Sequence, residues 1–255
     1  MHFRVLQAEW LKQRGSLASW LVIVGALFTP LVILVARLVY DKDLEKTYRS
    51  PRFWENNWMN QWESMAMLLI PMGIVLAASL VTQLEYRNNT WKQWHVTPFN
   101  LLDLFSAKYF ALILLTLQFL LLFNILIWLS SMAVPLVKPK VPFPGEPLPW
   151  RFILLQNIQY FVHFLPMIAL QFTLGLLFRN FLVAIGIGIL LWVASIATLT
   201  WAYSYLIPYA HGSLYFLKTS GRIQPKVDLV AWSLGYFVLF TIVGYLCYRF
   251  RNEKS

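Results

Sequence analysis

The sequence predicts an all-α membrane protein with six transmembrane helices, and three observations support this fold class. Hydrophobic residues make up 59% of the 255 residues and charged residues only 13%, about half the charged share of a soluble domain. Six stretches stay apolar over the roughly 20 residues that a helix needs to cross a bilayer. No segment the size of a soluble domain lies between them, so we expect residues 1–255 to form a single transmembrane domain.

The predicted spans cover about residues 17–40, 65–84, 109–134, 152–178, 181–203 and 229–248. The fourth and fifth spans are joined only by Arg179 and Asn180, which predicts a tight antiparallel pair. An even number of spans places both termini on one side of the membrane. The basic residues divide almost evenly between the two sides, so the positive-inside rule does not identify that side.

Residues 1–16, before the first span, predict an amphipathic helix lying in the membrane interface. Phe3, Leu6 and Trp10 recur at helical spacing, and basic residues surround them. Such a helix buries its apolar face at the boundary of the headgroups. The alternative is a frayed polar tail.

Two later segments have distinctive patterns. Trp54, Trp58 and Trp62 recur every four residues, which predicts a short helix at the headgroup level before the second span; the alternative is a surface helix that contacts a partner. Residues 135–151 contain six prolines, which exclude a helix and predict a stiff extended loop.

Residues 204–228, between the fifth and sixth spans, predict a re-entrant or interfacial helical hairpin. Two apolar runs flank His211 and Gly212, and each is too short to cross the bilayer. Backbone in lipid must satisfy its own hydrogen bonds, which favours helical turns over an irregular loop.

Polar residues of the fourth span fall on one helical face, at steps of four, three, four and four. This candidate pore face consists of Gln156, Tyr160, His163, Met167 and Gln171. One interpretation is a wall of a translocation path. The other is a set of hydrogen bonds between helices, since buried amides and imidazoles need partners.

The sequence lacks an energy source of its own. The spans hold almost no Asp or Glu, so a carboxylate relay for protons is not expected. No phosphate-binding glycine loop occurs, and the four histidines and single cysteine are scattered, so we expect no metal, haem or other cofactor in this chain. The net charge of +10 lies in short loops, which indicates contact with the membrane surface rather than with nucleic acid.

The loop after the second span predicts a short helix along the membrane plane. Asn89 or Thr90 can cap it, and Pro98 ends it. Its Trp and Lys side chains indicate either lipid anchoring or docking into the groove of a partner.

Together these features resemble a known family, the membrane subunits of ABC-2-type (type-2 ABC) exporters. The run Leu6–Lys12 is similar to that family's opening, and Glu85, Thr90, Pro98 and Lys108 are similar to its loop after the second span. Asn89 stands where the family usually has Gly, and Asn tolerates the same turn. The next departure is Asn100, which stands where the family has Ser.

The resemblance implies that the loop is a cytosolic coupling helix, at about residues 88–97, which contacts a separate ABC ATPase. The implied contact residues are Arg87, Asn89, Thr90, Trp91, Lys92, Trp94 and His95. It also implies a second permease, identical or related, and an ATPase dimer that holds ATP and Mg²⁺. Both termini are then cytosolic, in a bacterial cytoplasmic membrane, and the chain is not itself an enzyme.

The small size resembles the family's subunits for antibiotic or bacteriocin export or immunity. The implied substrate is therefore hydrophobic or amphipathic: an antimicrobial peptide, a drug or a lipid. Two alternatives remain at this point, a membrane assembly or anchoring subunit that transports nothing and a membrane-embedded enzyme.

Overall fold

A computed structural model describes residues 2–40, 43–87, 101–178 and 180–252, and all regular secondary structure among these residues is helical, without a strand. The all-α prediction is confirmed. The helices are α1 (His2–Gln13), α2 (Leu17–Val39), α3 (Leu44–Tyr48), α4 (Phe53–Ser64), α5 (Ile70–Arg87), α6 (Leu101–Val137), α7 (Trp150–Leu177), α8 (Phe181–Ala197), α9 (His211–Thr219) and α10 (Leu229–Asn252).

Five segments of the described chain are long and apolar enough to cross a membrane: Leu17–Val39, Phe53–Gln83, Leu101–Val137, Trp150–Leu177 and Leu229–Phe250. The predicted fifth span is shorter than expected, because α8 ends at Ala197 rather than near residue 203. Its 17 residues extend about 25 Å, slightly less than the hydrocarbon thickness of about 30 Å. The count of six therefore stays a prediction.

Helix α7 is the centre of the bundle. It packs against α5, α8, α9 and α10, while α2 packs mainly against α6. Of the most apolar 18-residue stretch of α7, 72% is buried inside the protein, compared with 22% of the same length in α2 and 17% in α10. The apolar surfaces of α2 and α10 therefore face outward, as expected of helices that contact lipid.

A tight turn joins α1 to α2. Gly15 adopts a positive φ of 77°, and the Ser16 side chain accepts a hydrogen bond from the Ser19 amide at the start of α2. Glycine tolerates this left-handed geometry, and serine is a favoured helix cap. The predicted helix at the N-terminus is present, and the turn fixes its direction relative to the first span.

The prediction of a tryptophan helix at the headgroup level is wrong, and so is its alternative of a partner-contact surface. Helix α4 runs without interruption into the second span, and Trp54, Trp58 and Trp62 are at most 5% exposed. The Trp62 ring stacks on Tyr160 of α7 at 3.8 Å, and Trp58 Nε1 donates to Asn124 of α6. The indole stripe is core packing, so the helix of the second span begins twelve residues before the predicted span start at residue 65.

Between α4 and α5 the helix widens into a π turn, Met65–Leu69, just before Pro71. Proline has no N–H, so the Met67 carbonyl, four residues earlier, loses its α-helical partner. The Ala66 carbonyl loses its own because the Ile70 amide donates to Met65 in the π turn. Trp192 of α8 donates to the Met67 carbonyl at 3.0 Å, and Ser213 of α9 donates to the Ala66 carbonyl at 3.1 Å. The break therefore fixes α8 and α9 on the second span.

Helix α6 is longer than the predicted span 109–134, and it continues through Pro135 to Val137. Pro135 deprives the Ser131 carbonyl of its helical partner, and the Tyr48 hydroxyl donates to that carbonyl at 3.1 Å. The prolines therefore exclude a helix only from residue 138, and the loop ends where α7 begins at Trp150.

Candidate functional site: the foot of α6 and the polar face of α7

The predicted coupling helix lies outside the described residues. Arg87 is the last residue of α5, and α6 begins at Leu101. The other implied contact residues, Asn89, Thr90, Trp91, Lys92, Trp94 and His95, belong to the part that is not described. Their assignment stays a prediction, but the structure defines what surrounds the point where this segment enters α6.

We call residues 101–109 the foot of α6, and α1 packs against this part of the helix. Leu6 contacts Leu104 and Ala107. The Glu9 carboxylate lies 3.2 Å from the Lys108 ammonium, and only 6% and 2% of these two side chains are exposed. A buried ion pair therefore joins the N-terminal helix to the residues that follow the predicted coupling segment.

A second cation binds the same carboxylate. Lys12 lies 2.6 Å from Glu9 Oε1, but 52% of its side chain is exposed. Burial alone would raise the pKa of the Glu9 carboxyl, but the ammonium groups of Lys108 and Lys12 outweigh it and hold that pKa below its ordinary value. Glu9 therefore carries a negative charge at neutral pH.

The end of α10 reaches the same place. The rings of Tyr245 and Tyr248 lie 5.5 and 5.8 Å from the ring of Phe105, and the Tyr109 hydroxyl lies 3.1 Å from Thr241 Oγ1. The helices nearest the two termini therefore meet at the foot of α6.

The candidate pore face of α7 points into the bundle. Gln156 accepts a hydrogen bond from the Tyr215 hydroxyl at 2.8 Å, and the Tyr160 ring is enclosed between Trp58, Trp62 and Tyr215. The Tyr160 hydroxyl is buried, with no hydrogen-bond partner among the described residues.

The rest of this face is also enclosed. Gln171 donates to Ser79 Oγ at 3.1 Å and to the Ala184 carbonyl at 3.0 Å, and its oxygen accepts from the Tyr209 hydroxyl. Met167 and His163 are each 1% exposed.

These contacts are the interhelical hydrogen bonds of the second interpretation. The residues that make several of them belong to the hairpin segment, residues 204–219, which comprises two 3₁₀ turns and α9. A role of the same face in a translocation path stays a prediction and requires this segment to move.

Sequence reasoning missed a polar cluster at the end of the bundle opposite the foot of α6. The Arg37 guanidinium donates to Asn57 Oδ1 at 2.6 Å and to the Tyr48 hydroxyl at 3.3 Å, and Asn57 donates to Ser131 Oγ at 2.8 Å. The available signal was an arginine in the last turn of an otherwise uncharged span. The cluster ties α2, α3, α4 and α6 together.

An apolar cavity of about 280 Å³ opens between α2, α5 and α6. Among its 16 lining residues only Thr116 carries a polar side chain, and its hydroxyl donates to the Leu112 carbonyl at 3.0 Å. The cavity can therefore accept a hydrocarbon group but offers no free polar partner for a hydrophilic one.

Comparison with known protein families finds a match to a family described as ABC-2 family transporter protein, whose model matches residues 5–195. No curated protein and no solved structure matches the chain significantly. The matched region runs from α1 into the last turn of α8 and includes the foot of α6 and all of α7.

Proposed function

Because this chain belongs to the ABC-2 family of transporter proteins, we propose that it is the permease of an exporter whose ATP is hydrolysed by a separate cytosolic subunit. Family membership and the apolar helices make it a multi-pass membrane protein of the transport class.

The observation that carries the proposal is the buried pair between Glu9 and Lys108 at the foot of α6. Two charges withdrawn from water are costly, and we infer that this pair is retained because it fixes one arrangement of the two helices. Here they join α1 to the helix that directly follows the predicted coupling segment. A push on residues 88–97 would move α1 and α6 together.

In this mechanism, ATP binding closes an ATPase dimer against Arg87, Asn89, Thr90, Trp91, Lys92, Trp94 and His95. The foot of α6 transmits the displacement to α2 through the turn at Gly15 and to α10 through the aromatic contacts of Phe105. Two permeases, identical or related, then open outward as a coupled two-state assembly. ATP and Mg²⁺ belong to the ATPase, and both termini lie in the cytosol of a bacterium.

The substrate that we propose is hydrophobic or amphipathic: an antimicrobial peptide, a drug or a lipid. The apolar cavity between α2, α5 and α6 supports this class, because its walls offer no unsatisfied polar group. An export or immunity role is equally compatible with such a substrate.

The test is purification of the full chain from its native membrane in a gentle detergent, followed by mass analysis of the proteins that accompany it. We expect a nucleotide-binding protein at equal stoichiometry. The double substitution Trp91→Ala and Trp94→Ala should remove it, because aromatic side chains dominate docking surfaces of this kind.

Trp201→Ala is the matched control, since Trp201 is 52% exposed and lies beyond the far end of α8. This variant should keep the nucleotide-binding protein. If the wild-type chain co-purifies with no nucleotide-binding protein, or if the double variant retains that protein fully, the assignment of the coupling segment is contradicted.

A further inference from the structure

Three polar side chains from three elements meet inside the bundle: His163 of α7, His211 at the start of α9, and Ser233 of α10. The Ser233 hydroxyl oxygen lies 2.8 Å from Nδ1 of each histidine. All three residues are at most 1% exposed. The single hydroxyl therefore joins the hairpin segment to two of the long helices.

The protons of this cluster can be counted. Nε2 of His211 lies 2.7 Å from the Tyr205 carbonyl, which only accepts, so this nitrogen carries a proton. In a neutral His211, Nδ1 is then bare and accepts the Ser233 proton. His163 completes the network by donating its own Nδ1 proton to the Ser233 oxygen.

A second arrangement exists for the same atoms. Ser233 Oγ also lies 2.7 Å from the Leu229 carbonyl, one turn earlier in α10. If His211 gains a proton, its Nδ1 becomes a donor to the serine oxygen, and the hydroxyl hydrogen turns to Leu229. The serine therefore changes its acceptor when His211 changes its charge.

The surroundings do not favour that charge while the cluster is closed. Burial lowers the pKa of His211, and the hydrogen bond to the Tyr205 carbonyl offsets this only in part. The ionisable groups nearest the two imidazoles on the surrounding elements include Tyr160, Tyr205, Tyr209, Tyr215, Lys218, Asp228 and Tyr236. Asp228 is the only carboxylate among them, and it is exposed.

We propose that His163, Ser233 and His211 form a proton-binding site that holds the hairpin segment against α7 while it is neutral and releases it when a proton binds. Release frees the polar face of α7, because Tyr209 and Tyr215 of this segment bind Gln171 and Gln156. Gln156 and Gln171 are 15 residues apart, about 22 Å along α7. All three residues belong to this chain, so the site does not depend on an ATPase partner.

The direction of the pH effect follows from linkage. The closed site binds its proton weakly, whereas a wetted imidazole has its ordinary pKa of about 6.5. Protons therefore favour the released state, and the ratio of released to closed molecules should rise by about tenfold from pH ~7.5 to pH ~5.5 for one histidine.

The experiment measures thiol labelling of the full chain in nanodiscs, with Cys247→Ser as the background, because Cys247 is the single cysteine. Leu214→Cys reports release, since Leu214 is 2% exposed in the hairpin segment. Gln224→Cys is exposed in the following loop and corrects for the effect of pH on the thiol itself. The ratio of the two maleimide labelling rates should rise by about tenfold over this pH range.

His211→Gln keeps a polar amide but cannot titrate, so its labelling ratio should rise about tenfold less than that of the wild type. His2→Gln, an equivalent change in α1, should keep the tenfold rise. If His211→Gln does not fold, His211→Asn replaces it. A flat ratio in the wild type, or an unchanged rise in the His211 variant, would overturn the proposal.

Discussion

Lys12 and Lys108 bind the same oxygen of Glu9, but the two bonds differ in energetic weight. The Lys12 bond is the shorter, at 2.6 Å against 3.2 Å, yet the Lys12 side chain is 52% exposed and that of Lys108 only 2%. Water and dissolved ions screen exposed pairs, so burial decides their contributions more than length does.

We therefore expect Lys108→Met to destabilise the protein by about 3–5 kcal/mol, because it leaves a buried carboxylate without its buried cation. Lys12→Met should cost less than about 1 kcal/mol. Thermal unfolding of both variants in the same detergent measures the difference. Equal losses of stability in Lys108→Met and Lys12→Met would contradict a larger contribution from the buried pair.

The pair also has a defined pH dependence. The pKa of Glu9 lies below its ordinary value of 4.5, so the stabilisation is fully present above that pH and is lost as the pH falls through the lowered pKa. The double variant Glu9→Gln with Lys108→Met should be more stable than Lys108→Met alone, and its stability should lack this acid-dependent component.

The sequence shows Glu9 and Lys108 as charged residues, but it does not predict that they form an ion pair. The similarity to a family motif drew attention to Lys108, and Glu9 was one of several charges before the first span. Nothing local connects positions 9 and 108. The same holds for His163, His211 and Ser233, whose contact depends on the packing of three separate helices.

At the scale of elements, α8 packs closely on α5 and α7 through a glycine. A methyl group at Gly188 would lie 2.8 Å from Val75 Cγ1 and would also meet the Gln171 side-chain oxygen. Gln171 cannot swing away cheaply, since its amide donates to Ser79 and Ala184 and its oxygen accepts from Tyr209.

Gly188→Ala should therefore destabilise the protein by about 1–3 kcal/mol through overpacking. Gly186→Ala is the matched control two residues earlier, where an added methyl group meets nothing within 4 Å. This control should be neutral or stabilise the helix by up to about 1 kcal/mol. Thermal unfolding distinguishes the two, and a neutral Gly188→Ala would contradict the close contact.

Hydropathy located these helices but not their interruptions or extensions. The stripe of Trp54, Trp58 and Trp62 has the spacing of an interfacial helix, and the same spacing also suits a helix buried in protein, so the pattern could not decide. The π turn before Pro71 has no sequence signal of its own. Its consequence, hydrogen bonds from Trp192 and Ser213 to free carbonyls, requires the tertiary structure.

At the scale of the whole molecule, the positions of the two termini bear on the number of membrane crossings. Glu9 of α1 pairs with Lys108, and Tyr245 and Tyr248 of α10 lie against Phe105. The helices nearest both termini thus meet at one end of α6. If these two helices also lie on one side of the membrane, the chain between them crosses an even number of times, which predicts a sixth crossing besides the five long spans.

We expect α8, continued by the turns before α9, to supply that sixth crossing. Its 17 residues reach about 25 Å of the roughly 30 Å required, and residues 198–210 continue from its end.

Single cysteines in a Cys247→Ser background test this in sealed vesicles of known orientation. Gln7→Cys and Phe250→Cys should be labelled from the cytosolic side, and Glu146→Cys and Gln224→Cys from the other side. Labelling of Gln7→Cys and Phe250→Cys from opposite sides would require an odd number of crossings. The end of α10 would then lie far from the foot of α6. This result would contradict both the topology and the transmission that we propose between the termini.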